Sequence, residues 1–339
     1  MRTNPSLCLH DHCRNHFHAT SVALMTLIAS LSTFLSLTLA SQSFGQSLLN
    51  QPECVAFDAV RNRYLVSSLG NGYIVAIDSL GTQSIFYDAG ALTFGNHIVG
   101  ETLFVSVGQY SSHLVGLLLS DGSVVLDTII EASLQLDGMT SDTSGHLYVV
   151  DNFGGRLFRL TFVDRTIDLL PTTGLAQNLQ DIEFDATHNR LLVVGAYTTP
   201  PLQSVDLNTM AVTTLVTVDE GGCDGIALDP WGGVYISSWR RMGVYKYDSS
   251  FTNPPLLIRA TPNGQSNLDY NEVDSVLAVP LFNGNDLLLL GYDEHTDSDV
   301  EVTFRDLTPK DREDLGRYGR GDRATFRRTW SRVDSKEKM

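Results

Sequence analysis

Helical periodicity is what this chain most lacks. After residue 40 no stretch repeats apolar residues at three- and four-residue spacing, which argues against helix bundles and against doubly wound folds with crossover helices. Positive charge is scarce as well, with 23 Lys and Arg against 39 Asp and Glu and a net charge of −16. The basic residues that exist are concentrated late. From Arg305 onward there are 11 basic and 7 acidic residues, so that 12 basic and 32 acidic residues precede it, a net of −20. A body so acidic repels phosphate backbones, and no nucleic-acid partner is expected. Cysteine is too sparse for a disulfide framework. Of the four, Cys8 and Cys13 precede a long apolar run, leaving Cys54 and Cys223 either as a pair or as two packed thiols. A phosphate-binding glycine loop, a dinucleotide fingerprint, a serine-hydrolase elbow and a zinc-type Cys/His cluster are all missing, as is any Asn-x-Ser/Thr acceptor with x other than proline.

What is present begins with one apolar run, "SVALMTLIASLSTFLSLTLA", from Ser21 to Ala40, preceded by Arg2 and Arg14 and ending in small residues. Residues 1–40 read as a secretory signal, with an uncleaved anchor as the alternative because the run is long enough to span a bilayer. Either reading implies export, to a secreted or periplasmic location, with the mature domain outside the membrane. The segment 305–339 is charged, poor in aliphatic residues and without strand pattern, and reads as a disordered tail.

Between these ends the chain repeats itself. Segments beginning "PECVAFD" at Pro52, "GNHIVGE" at Gly95, "LDGMTSD" at Leu136, "LQDIEFD" at Leu179, "CDGIALD" at Cys223 and "QSNLDYN" at Gln265 align on Val55, Ile98, Met139, Ile182, Ile226 and Leu268. Successive aligned positions differ by 43, 41, 43, 44 and 42 residues. A period in the low forties built from short alternating strands predicts an all-β fold, a six-bladed β-propeller of four-stranded antiparallel blades over residues 41–304. Ring closure is expected to use an extra strand, from residues 41–50 or from "DVEVTF" at 299–304.

In such meanders the start of the inner strand and the loop between the second and third strands share one end of the blade. Glu53, Asn96, Asp137, Gln180, Asp224 and Ser266 stand two residues before the aligned aliphatics, and carboxylates and amides converging on an axis suit a hard cation that takes six to eight oxygens. Capping of strand starts in a hydrated channel is the plainer alternative. The loop set includes Tyr110, Asn152, Phe153, Trp239 and Arg240.

The Pro52-Glu53 opening, the Asp-Gly-aliphatic units at Asp137 and Asp224, and "LDYNEVDSVLAVPLFNGNDLLLL" in the last repeat resemble the gluconolactonase and senescence-marker-protein group of propellers, relatives of the paraoxonase-type lactonases and of NHL-repeat propellers. The resemblance runs from about Pro52 to Tyr292. It implies Ca2+ or another divalent cation in the central channel, held by Glu53, Asp137, Gln180 or its neighbour Asp181, and Asp224, and acting on the carbonyl of a lactone or ester. Gln180 stands where the family usually has Asn, and its extra methylene displaces the donor oxygen. Asp224 is the expected base by that resemblance, with His97 as its rival. Asn96, Trp239 and Arg240 are the expected substrate contacts, and the ligand is a small molecule, such as a sugar-type lactone. A monomer is expected. A non-catalytic exported propeller that binds a ligand or serves as a scaffold is the competing reading.

Overall fold

A computed structural model describes residues 47–131, 133–162, 164–293 and 298–302, with side chains through Gly291. The expected leader at 1–40 and tail at 305–339 lie outside the described residues. Six sheets of four antiparallel strands follow one another, each in simple sequence order. They span residues 52–88, 93–129, 136–169, 179–217, 223–260 and 269–302 and are numbered here as blades 1 to 6. The innermost strands are Pro52–Asp58, Thr93–Val99, Leu136–Ser141, Leu179–Asp185, Cys223–Leu228 and the short Asp269–Asn271, and those of successive blades adjoin around the axis.

The core explains why the middle strands read as unbroken apolar runs. It is divided into six clusters, each shared by two neighbouring blades. Val66 and Val75 of blade 1 meet Val276 and Leu289 of blade 6, while Leu65 and Ile74 meet Val105 and Val115 of blade 2. Consecutive residues of one strand therefore face opposite neighbours, and both faces must be apolar. The fourth strands, such as Gln83–Asp88 and Val212–Thr217, are half-buried to exposed along their length and mix polar with apolar residues.

The acid that recurs five residues beyond the inner polar position belongs to the turn. Asp58, Asp142, Asp185, Asp229 and Asn271 each accept backbone N–H groups of the following hairpin turn, as in Arg61 N to Asp58 (3.1 Å), His146 N to Asp142 (2.9 Å) and Gly233 N to Asp229 (2.7 Å). Asp58 and Asp185 also bind Arg63 and Arg190, at 3.0 and 2.8 Å. These are side-chain-capped turns, and His146 and His188, paired with Asp142 and Asp185, belong to them.

Two expectations need correction. In blade 2 Thr93 pairs with Val107 and Asn96 with Val105, so Phe94, and not Asn96, is the counterpart of Glu53, and Asn96 is the counterpart of Val55. The slip is of two residues, which leaves every side chain on its original face and so is invisible to the alternation of polar and apolar residues. Closure is also different. The segment Ser298–Val302 is a strand, but it is blade 6's own fourth strand, and all four strands of blade 1 come from residues 52–88. Among the described residues no strand crosses from one end of the ring to the other. Instead Leu49 is buried between blades 1 and 6, and Asn285 takes Gln51 N (2.8 Å) and Ser47 Oγ (3.0 Å).

Candidate active site

The inner strands share a local distortion that builds the site. In each of them two residues oppose one residue of the second strand: Glu53–Cys54, Phe94–Gly95, Asp137–Gly138, Gln180–Asp181, Asp224–Gly225 and Ser266–Asn267. A β-bulge re-aims a side chain and tightens the local twist. Here it occurs six times at one level of the channel. At the second bulge position the neighbouring blade comes very close. A Cβ on Gly95 would lie 2.2 Å from Asp137 O, one on Gly138 2.1 Å from Asp181 Oδ1, and one on Gly225 2.7 Å from Ser266 O. The Asp-Gly of blades 3 and 5 is thus a carboxylate at the first bulge position followed by a glycine where a Cβ would collide with the adjacent blade, while blades 1, 4 and 6 accommodate Cys54, Asp181 and Asn267 at that position.

Glu53, Asp137 and Asp224 are brought together at this level, all buried. Burial pushes Glu53 and Asp137 well above the usual carboxylate range, and the next largest cause for both is the charge of Asp224. Asp224 is pushed up to about 7 by burial, against the opposing hydrogen bonds of Trp239 and Ser266. Each carboxylate is held by one oxygen. Ser266 Oγ donates to Glu53 Oε2 (3.2 Å), Asn152 Nδ2 (3.2 Å) and Gln135 Nε2 (3.5 Å) donate to Asp137 Oδ2, and Trp239 Nε1 donates to Asp224 Oδ2 (2.5 Å). The second oxygens, Asp137 Oδ1 and Asp224 Oδ1, are buried without a partner, as are Asn96 Oδ1 and both amide atoms of Asn267. Among the described residues no set of three or more acidic, histidine or cysteine side chains is gathered closely enough to form a ready metal cage.

The remaining expected residues fall elsewhere. Gln180 is in the same belt, but its Oε1 accepts from Asn152 Nδ2. Both oxygens of Asp181 take backbone amides, Ile182 N and Ile226 N at 2.9 Å each, and so latch blade 4 to blade 5. Asn96 points between blades, its Nδ2 on Cys54 O and Leu65 O. Arg240 is exposed, with Nη1 on Thr198 O. His97 stands three residues along from the bulge level, in register with Glu183 and Asp269. Its Nε2 meets Ser141 Oγ at 3.0 Å, and burial lowers its pKa to about 4. Cys54 and Cys223 are both buried and free.

Of the other donors, Ser266 is legible in the sequence only as a channel-level position and Gln135 not at all. Asn152 and Trp239, expected in the loops and Trp239 also as a substrate contact, instead donate to Asp137 and Asp224. The signal for these two existed: each follows its carboxylate by 15 residues.

No family model matches the chain, and no curated protein does. Solved structures do match in fold. A gluconolactonase of Xanthomonas campestris superposes with a TM-score of 0.61 at 17% identity, covering 72% of this chain and 86% of that one. A chain of a nidogen/laminin complex gives 0.59 at 11%, covering 68% and 89%, and virginiamycin B lyase of Staphylococcus aureus gives 0.57 at 11%, covering 76% and 85%. The three differ in what they do, so the likeness speaks for the six-bladed fold alone.

Proposed function

We propose that this chain is an exported, calcium-dependent hydrolase of the lactonase or esterase type, acting at the axis of the propeller. The observation that carries the reading is the burial of Glu53, Asp137 and Asp224 in one another's field, with Asp137 and Asp224 each pinned by one oxygen and bare at the other. Three carboxylates raised in this way favour either protons or a cation, and an all-oxygen donor set suits calcium. Glu53, Asp137 and Asp224 would hold the ion. When bound it would offset their repulsion and polarise a substrate carbonyl.

Asp224 is the preferred base: it would take a proton from the attacking water as the water oxygen bonds to the carbonyl carbon, and return that proton to the departing ring oxygen as the ring C–O bond breaks, leaving a hydroxy acid. His97 is the weaker choice because burial disfavours its protonated form and Ser141 occupies its Nε2. The acidic surroundings favour a neutral ligand, such as a sugar-type lactone, over one bearing phosphate or carboxylate.

A second reading, a non-catalytic binding or scaffold propeller, is favoured by one specific observation. Gln180 and Asp181, expected to complete the ligand set, have their oxygens committed to Asn152 and to backbone amides. Melting the purified domain with calcium and with chelator separates the possibilities, because a ligand bound only by the native state raises its stability. The hydrolase reading expects a clear rise in Tm with calcium, together with turnover on a panel of lactones and esters. A rise without turnover supports the binding module, and no rise removes the cation from both.

A further inference from the structure

We infer that Trp239 and Asn152 are a matched pair of positioning residues, each fixing which oxygen its blade's aspartate presents to the channel. The inference rests on the proposed site. It assigns to Trp239 a role different from a substrate platform.

The two residues occupy one structural position. Each is the first residue beyond the second strand of its blade, and each is tied by its own backbone N–H to the residue two before its carboxylate: Asn152 N to Gln135 O (2.8 Å) and Trp239 N to Gly222 O (2.9 Å). From that position each side chain reaches back across the hairpin and donates one N–H to Oδ2 of the aspartate at the first bulge position. In both blades the other oxygen, Oδ1, is left buried and bare. The other blades have Leu69, Gly108, Ala196 and Phe282 there, none with a side-chain donor, and none of those blades has an aspartate at the first bulge position. Donor and aspartate occur together in blades 3 and 5 and are both missing elsewhere.

Trp239 is itself held in place. Its ring meets Phe282 edge-on at 5.4 Å, and Gly264, at φ +65°, has no room for a Cβ, which would lie 2.7 Å from the indole. An indole fixed by blade 6 leaves Asp224 one orientation in which Oδ2 is satisfied. A buried carboxylate that loses such a donor is free to rotate and has an additional bare oxygen. Groups that orient a metal-binding carboxylate in this way commonly contribute about 10- to 100-fold in affinity.

The test uses Trp239→Phe, which removes the N–H and keeps the ring against Phe282, and Asp224→Ala, alone and combined. In 15N–1H spectra of the metal-free domain the Trp239 indole resonance is identified by its loss in Trp239→Phe. Asp224→Ala is expected to shift it upfield. Calcium titration is expected to give a dissociation constant about 10- to 100-fold higher in Trp239→Phe, with little further loss when that change is added to Asp224→Ala. An indole signal indifferent to Asp224→Ala overturns the inference, and so does full additivity of the two changes. If the wild-type domain binds no calcium, the proposed function fails. The indole signal, and the coupling of the two substitutions in metal-free Tm, then still decide whether Trp239 positions Asp224.

Discussion

Glu183 and Asp269 lie three residues along from the bulge level, in register with His97, and they show at the scale of single residues what this channel costs the fold. Burial, then the charge of Asp269, pushes Glu183 up to about 8, while burial pushes Asp269 up to about 6 even though it accepts Phe57 N at 2.9 Å. Asp224, at about 7, belongs to the same series. A carboxyl whose folded value exceeds its unfolded value of roughly 4 binds its proton more tightly in the native state. Its stabilisation is therefore complete below about pH 4 and is lost as pH rises through the folded value. His97 acts in the opposite sense, since a value lowered to about 4 costs stability as pH falls below roughly 6.5. Above pH 6.5 the carboxyl trend remains, joined above about pH 8 by Cys54 and Cys223, whose thiols burial also pushes up. The metal-free domain should lose Tm steadily between pH 6.5 and 9. Glu183→Gln, which keeps the shape and cannot ionise, should flatten that decline most between pH 6.5 and about 7.5, the effect fading as pH passes about 8. Parallel Tm curves for wild type and variant would show that Glu183 titrates in the ordinary range. The same residues mark how far the site was legible. Glu53, Asp137 and Asp224 could be read because an acid before a buried aliphatic recurs at the blade period. Asn152 and Trp239 repeat a spacing of 15 residues from their aspartates, but that spacing becomes a contact only once the hairpin pairing is known.

At the scale of the element the repeated unit is a strand with a bulge in a fixed place. The number of blades and the order of strands follow from the period and from alternation. The register of blade 2 did not, because a slip of two residues preserves alternation. A second spacing fixes the register of the other five blades. The capping residue lies five beyond the first bulge residue in blades 1, 3, 4, 5 and 6, as Glu53 to Asp58 or Ser266 to Asn271, whereas blade 2 has Phe94 and Val99 and so carries neither signal. The bulges also nest, the second residue of one against the next blade. Gly138→Ala would place a methyl 2.1 Å from Asp181 Oδ1 and 2.8 Å from Gln180 O, and the backbone of blade 4 would have to move. Overpacking of this kind costs typically about 1–3 kcal/mol. Urea unfolding should show Gly138→Ala less stable by that amount. Gly100→Ala, where a Cβ meets nothing within 4 Å, should show only the smaller strain of its φ of +59°. Equal losses at the two positions would mean that blade 4 yields to the added methyl and that its close approach does not account for the glycine at 138.

At the scale of the whole molecule a ring of blades must be joined where the chain begins and ends it. Pairing a strand from one end into the blade at the other would tie the two covalently distant segments by backbone hydrogen bonds. Among the described residues this propeller joins them mainly by side chains, with Leu49 in the cluster that contains Val276, Ala278, Leu287 and Leu289 of blade 6 and Val55, Val66 and Val75 of blade 1. Ser266 to Glu53 and Asn267 N to Glu53 O (2.9 Å) add a polar join at the axis, so the same seam supports one of the three site carboxylates. A seam of this kind opens more easily than the interior of a blade, since fewer backbone hydrogen bonds must break. Leu49→Ala removes a side chain that is 3% exposed, and such truncations cost about 2–5 kcal/mol. The loss should be local in character. Native-state hydrogen exchange should speed up in the inner and second strands of blades 1 and 6 and remain near wild type in blades 3 and 4, and calcium binding, where it occurs, should weaken with it because Glu53 sits on the seam. Uniform acceleration around the ring would instead show that the six blades unfold as one unit and that the join is no weaker than any other interface between blades.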